Sequence, residues 1–166
     1  MKFPGAFLAV AAIAVAVTGC SAVDNASKSD VAKTKVGDCI NITKNDANDP
    51  AGESIDCSSP KAVYKVFQTF DNQTACPTTD YTTYTEQRPS GGTTFMCLAP
   101  NLKQDSCYND GSGALKWADC AAPDATIKVL QRVEGSSDEM QCPDTTETFI
   151  TVPDPKALFC LGKPSA

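Results

Sequence analysis

Cysteine is the residue type in this chain with the most chemistry to offer. There are nine. Cys39, Cys57, Cys76, Cys97, Cys107, Cys120, Cys142 and Cys160 are spread along the chain, and Cys20 stands apart behind an apolar leader. No two form a C-x-x-C pair and the chain has no His, so neither a zinc site nor a thioredoxin-like redox site has its usual ligand pattern. The lack of His also excludes Ser-His-Asp and Cys-His sites and removes the commonest general base. Among carboxylates, Asp56 and Asp119 each stand directly before a Cys. Paired carboxylates could hydrolyse a glycoside, but an Asp in that place also caps a turn, and the turn is the favoured reading. Asn45, Asp46, Asn48 and Asp49 could offer oxygen ligands to Ca²⁺, yet they lack the Gly and the spaced Glu of an EF-hand loop, so no metal site is expected. Trp117, Tyr64, Tyr81, Tyr84 and Tyr108 could stack on sugars or peptides. Trp117, in Lys116-Trp117-Ala118-Asp119, is expected to pack against a neighbouring disulfide. The Thr run from Thr78 to Thr94 could carry O-glycans, and Asn41-Ile42-Thr43 matches an N-glycosylation sequon. No catalytic residue and no cofactor are assigned.

The leader sets the compartment. Lys2 is followed by an apolar stretch over residues 6–17, shorter than the roughly 20 apolar residues a spanning helix needs but suited to an export signal. Val17-Thr18-Gly19-Cys20 resembles the bacterial lipobox, in which the Cys thiol takes a diacylglyceryl group and the chain is cut just before it. The reading is a signal peptide over 1–19 and a lipid anchor on Cys20. Each buried methylene contributes about 0.8 kcal/mol, so two or three acyl chains hold firmly. Removing Lys2 with the leader leaves 13 basic against 20 acidic side chains, a net charge of −7. Such a balance argues against nucleic acid and against lying flat on anionic lipid.

The eight remaining Cys are even in number and belong to an exported chain, so a disulfide framework is expected. Their surroundings repeat. Asp56-Cys57-Ser58-Ser59-Pro60 is matched 63 residues later by Asp119-Cys120-Ala121-Ala122-Pro123. At the same offset Tyr64-Lys65-Val66-Phe67-Gln68 meets Ile127-Lys128-Val129-Leu130-Gln131, and Phe95-Met96-Cys97-Leu98 meets Leu158-Phe159-Cys160-Leu161. Cys76-Pro77 is echoed by Cys142-Pro143. Repetition of this kind points to a duplicated unit, with a first Cys-rich unit over 36–100 and a second over 101–166. Four Cys allow three connectivities. The favoured one joins first with second and third with fourth: Cys39–Cys57, Cys76–Cys97, Cys107–Cys120 and Cys142–Cys160. Each pair then closes a loop whose length differs between units, a variation that costs little.

Behind the anchor, residues 20–35 are polar and read as a flexible tether. A short strand is expected through Cys39, a turn-rich loop over 43–54, and a strand over 62–70 with a counterpart over 126–133. In the first of these two strands, alternation places Val63, Lys65, Phe67 and Thr69 on one face and Tyr64, Val66, Gln68 and Phe70 on the other. The segments after Pro77 and Pro143 fit either a short helix or a strand. Turns are expected at Arg88-Pro89-Ser90-Gly91-Gly92 and Val152-Pro153-Asp154-Pro155, with closing strands over 95–98 and 158–161. The fold class is mainly β, with small α+β as the variant, built as two similar disulfide-stapled units.

Val36-Gly37-Asp38-Cys39, a following Cys, the Tyr-Lys-Val strand, Cys-Pro and Phe-Met-Cys-Leu together resemble the LppU-like lipoproteins of actinobacteria. The Gly-Asp-Cys opening is also similar to septum-formation-type domains. The second unit departs from this pattern, with Asp105-Ser106-Cys107 in place of Gly-Asp-Cys. The resemblance implies location and architecture and lends no site residues. The expected function is a non-enzymatic binding or interaction module on the outer face of the plasma membrane. It would be held there by its lipid, with an envelope protein or cell-wall component as partner. The alternatives are a carboxylate-dependent hydrolase of cell-wall material and a small-ligand carrier.

Overall fold

A computed structural model describes residues 30–46, 49–87, 91–111 and 113–164. The leader, Cys20 and most of the tether lie outside these residues, as do Ala47, Asn48 and the Arg88-Pro89-Ser90 part of one expected turn. The described chain is mainly β and folds into two five-stranded antiparallel sheets. The first contains β1 (Cys39–Lys44), β2 (Ala51–Ile55), β3 (Tyr64–Phe70), β4 (Thr82–Gln87) and β5 (Thr93–Pro100), in the order β2-β1-β3-β5-β4. The second contains β6 (Cys107–Asn109), β7 (Lys116–Ala118), β8 (Ile127–Glu134), β9 (Thr148–Pro153) and β10 (Lys156–Gly162), in the order β7-β6-β8-β10-β9. Strand for strand, the second order is the first repeated.

This order explains where the cysteines are. With every neighbouring pair antiparallel, β2 runs parallel to β3, and β3 parallel to β4. The β2–β3 connection must therefore pass over β1, and the β3–β4 connection over β5. Each crossing is bonded to the strand it crosses. Cys57 at the start of the first crossing joins Cys39 on β1, and Cys76 within the second joins Cys97 on β5. The other half does the same: Cys120 joins Cys107 on β6, and Cys142 joins Cys160 on β10. The Cα–Cα separations, 5.0 to 5.6 Å, lie within the ordinary range for disulfides. The bond adds a covalent attachment to the apolar contacts that each crossing makes, such as those of Val63 and Tyr81.

The crossings also account for the composition of β5 and β10. Phe95-Met96-Cys97-Leu98-Ala99-Pro100 is buried throughout, as is Ala157-Leu158-Phe159-Cys160-Leu161-Gly162. An antiparallel strand open to water on one side alternates apolar and polar residues, whereas one covered on both sides reads as a continuous apolar run. The segments expected to close each unit are thus interior strands, inserted between β3 and β4 and between β8 and β9.

Three expectations are refined. The alternation over residues 62–70 breaks at Phe67, where the pairing slips between Val66 and Gln68. Phe67 becomes the extra residue of a β-bulge. It packs on the core beside Val66, with its ring centroid 4.8 Å from that of Tyr81. The equivalent slip in β8 falls at Leu130, between the partners of Cys160 and Leu161. After Pro77 and Pro143 the chain forms strands β4 and β9 and no helix. The short 3-10 turn of the second half, Glu139–Gln141, precedes Cys142 and is capped by Asp138. Finally, the tether ends earlier than residue 35. Asp30–Lys33 forms a 3-10 turn whose Val31 is fully buried. A Cβ on Gly52 would come within 2.9 Å of a Val31 methyl, so the bare glycine makes the seat for this apolar side chain.

One hydrophobic core serves both sheets. Ile40, Ile42, Val63, Tyr64, Tyr84 and Leu98 of the first half share a single buried cluster with Tyr108, Val129, Val152 and Phe159 of the second. Polar contacts cross the same boundary. The Tyr64 hydroxyl accepts from the Leu115 N–H at 2.6 Å, and the Tyr81 hydroxyl donates to the Asp154 carbonyl at 2.9 Å.

Candidate functional site

Asp56 and Asp119 occupy the same local role. The Asp56 carboxylate accepts from the Ser58 N–H at 2.8 Å and from the Ser58 hydroxyl, and these bonds hold its pKa below the usual aspartate value. The Asp119 carboxylate accepts from the Ala121 N–H at 2.9 Å. Each caps the turn that opens a crossing connection, next to the Cys that staples it, which is the Asx-turn pattern.

The tyrosines are in the core. Tyr64, Tyr81, Tyr84 and Tyr108 are all buried, so their faces are occupied by protein. Burial raises the pKa of Tyr64, Tyr81 and Tyr108. Trp117 differs. It is 36% exposed, on the edge strand β7 opposite Tyr108, and the Lys61 ammonium lies 5.6 Å from its ring centroid. The edge strand leaves one flank without a strand neighbour, and Trp117 is partly exposed there.

Among the described residues, candidate residues meet in a larger and a smaller cleft. The larger, about 640 Å³, is lined by Asn45, Asp46, Asp71, Asn72 and Gln73, by Thr83, Thr85 and Thr93 of the Thr run, and by Phe95. Of the other acidic-loop residues, Asp49 pairs with Lys44 and Asn48 lies outside the described residues. Among the described residues no group of three or more Cys, Asp or Glu side chains is placed to hold a metal ion. The smaller cleft, about 320 Å³, is lined by Asn41, Ile42 and Thr43 of β1, Lys61 of the first crossing, and Lys116 and Trp117 of β7. Ile42 itself is turned into the core, with only 1% of its surface exposed. It exists only because β7 of one sheet approaches β1 of the other. Sequence reasoning singled out Trp117 but missed Lys61 and the β1 residues as its companions. Its sole available signal was Lys61 following the Cys57-Ser58-Ser59-Pro60 turn, and spacing cannot bring that turn to a strand more than 50 residues on.

No helix among the described residues is long and apolar enough to cross a membrane. Comparison with protein-family models, curated proteins and solved structures found no match.

Proposed function

We propose that this chain is a cell-envelope lipoprotein, a non-enzymatic binding or interaction module. In this reading it is held on the outer face of the plasma membrane by a lipid on Cys20. The observation that carries the reading is the sequence Val17-Thr18-Gly19-Cys20 behind an apolar leader, followed by a domain whose other eight cysteines are all paired. Paired cysteines in such number suit an oxidising, exported setting. The likeness of Val36-Gly37-Asp38-Cys39 and its following motifs to the LppU-like lipoproteins supports the same address. The turn-capping roles of Asp56 and Asp119 account for their recurrence without a hydrolytic site. Replacing the anchor residue tests the reading: the native protein should incorporate labelled palmitate and Cys20→Ser should not, with its disulfides intact. Absence of label from the native protein, or equal labelling of the variant, would contradict it.

A further inference from the structure

We infer that the cleft between β1 and β7 binds an anionic saccharide, a sugar carrying a carboxylate or phosphate, with Trp117 as the platform and Lys61 as the charge. The inference rests on the reading of this chain as a binding module and gives that module a site and a ligand class.

Three observations converge on it. First, the sole tryptophan of the chain is 36% exposed at the cleft, although the buried core contains four tyrosines and several other large apolar side chains. An indole left partly in water forgoes burial that the core could have provided. Its negative ring face suits the weakly positive C–H groups of a sugar. Second, this chain has six more acidic than basic side chains, yet two lysines, Lys61 and Lys116, line this one cleft. The Lys61 ammonium lies over the ring, 5.6 Å from its centroid, so the charged substituent of a sugar stacked on the remaining ring surface would meet a cation there. Third, the rest of the lining is what a hydroxylated ligand uses. Asn41 and Thr43 line the cleft with polar side chains. The Asn41 amide nitrogen donates to Glu53 at 2.9 Å, which leaves its carbonyl oxygen to accept from a sugar hydroxyl. Small-molecule sites typically combine an apolar surface, here the Trp117 ring, with a few placed polar groups.

The repeat sharpens the point. The residue that stands 63 positions before Trp117 is Ser54. Ser54 pairs with Ile40 as Trp117 pairs with Tyr108. The platform therefore belongs to one half only, and the fold does not need an aromatic residue at this position.

Since Trp117 is the sole tryptophan, its fluorescence reports this cleft and nothing else. The disulfide-bonded protein is titrated with trigalacturonate and with glucose 6-phosphate, against maltotriose as the neutral control. The inference predicts a saturable fluorescence change with at least one charged probe, at least tenfold weaker binding of the neutral sugar, and loss of affinity as salt rises. By calorimetry, Lys61→Gln should weaken the charged probe at least fivefold. Trp117→Ala should abolish its binding, with unchanged far-ultraviolet circular dichroism confirming the fold. No binding of either charged probe at millimolar concentration overturns the inference, as does equal binding of maltotriose or indifference to Lys61→Gln. Binding to phosphatidylglycerol vesicles without binding to either sugar also overturns it, in favour of a lipid surface. Failure of the sugars while Cys20→Ser still abolishes palmitate labelling would remove this site and leave the lipoprotein reading standing.

Discussion

Asn101, between the two sheets, is 8% exposed, with both side-chain polar atoms and its backbone N–H engaged. Its amide nitrogen donates to the Ala62 carbonyl at 2.8 Å and the Cys57 carbonyl at 3.3 Å, and its backbone N–H to the Val63 carbonyl at 2.8 Å. Its side-chain oxygen accepts from Lys103 and Arg132. It thus ties the first crossing of one half to β8 of the other. Asn101→Ala leaves buried acceptors without donors and should cost about 1–3 kcal/mol, read as a lower midpoint in chemical denaturation with an unchanged slope. The buried tyrosines give a pH dependence at the same scale. Burial favours the neutral phenol, so the folded pKa values of Tyr64, Tyr81 and Tyr108 lie above the unfolded one. The stability they contribute is full below the ordinary tyrosine pKa of about 10 and is lost as pH rises through the folded values. Spectroscopic titration of the folded protein should show phenols ionising late, with unfolding at the same alkaline pH. Sequence reasoning saw these tyrosines as possible stacking residues because exposure is a tertiary property that residue type does not reveal. It identified the turn-capping roles of Asp56 and Asp119, which are local, from the Asp-Cys pattern itself.

At the scale of elements, each disulfide fastens a crossing connection to the strand beneath it. Removing Cys76–Cys97 by Cys76→Ala with Cys97→Ala frees the connection over residues 71–81 from β5, and should cost about 2–4 kcal/mol. Hydrogen exchange should then rise first in that connection and in β4, while β1 and β2 keep their protection. Uniform loss of protection would show that the bond supports the whole sheet equally. What the sequence revealed of the strands follows from pattern strength. Residues 64–70 are β-branched and aromatic enough to be read as a strand, but the bulge at Phe67 left no mark in the alternation, because such a slip is set by the partner strand. The Thr-rich segments after Pro77 and Pro143 were ambiguous because neither local propensity nor a cap decides them. They become β4 and β9 because β5 and β10 offer open edges to pair with. Val31 was hidden for the same reason, since nothing nearby in sequence announces its seat on Gly52.

For the whole molecule, the matched strand orders, the matched staples and the bulges at Phe67 and Leu130 all support the proposal that one unit was duplicated. The two halves are nonetheless not separate bodies, because a single core draws on both. The boundary near residue 100 read from the Cys pattern therefore divides the sheets but not the hydrophobic interior, a distinction periodicity cannot make. The smaller cleft follows from this union, as it is lined from β1 on one side and β7 on the other. The central claim, a lipid-anchored and fully oxidised envelope module, is tested most directly by the intact mass of the protein extracted from its own membranes, measured with and without reductant. The account predicts a chain that starts at Cys20, carries acyl mass there, and gains eight hydrogens on reduction as four disulfides open. A chain with unmodified Cys20, or with free thiols among the other eight cysteines before reduction, would contradict it.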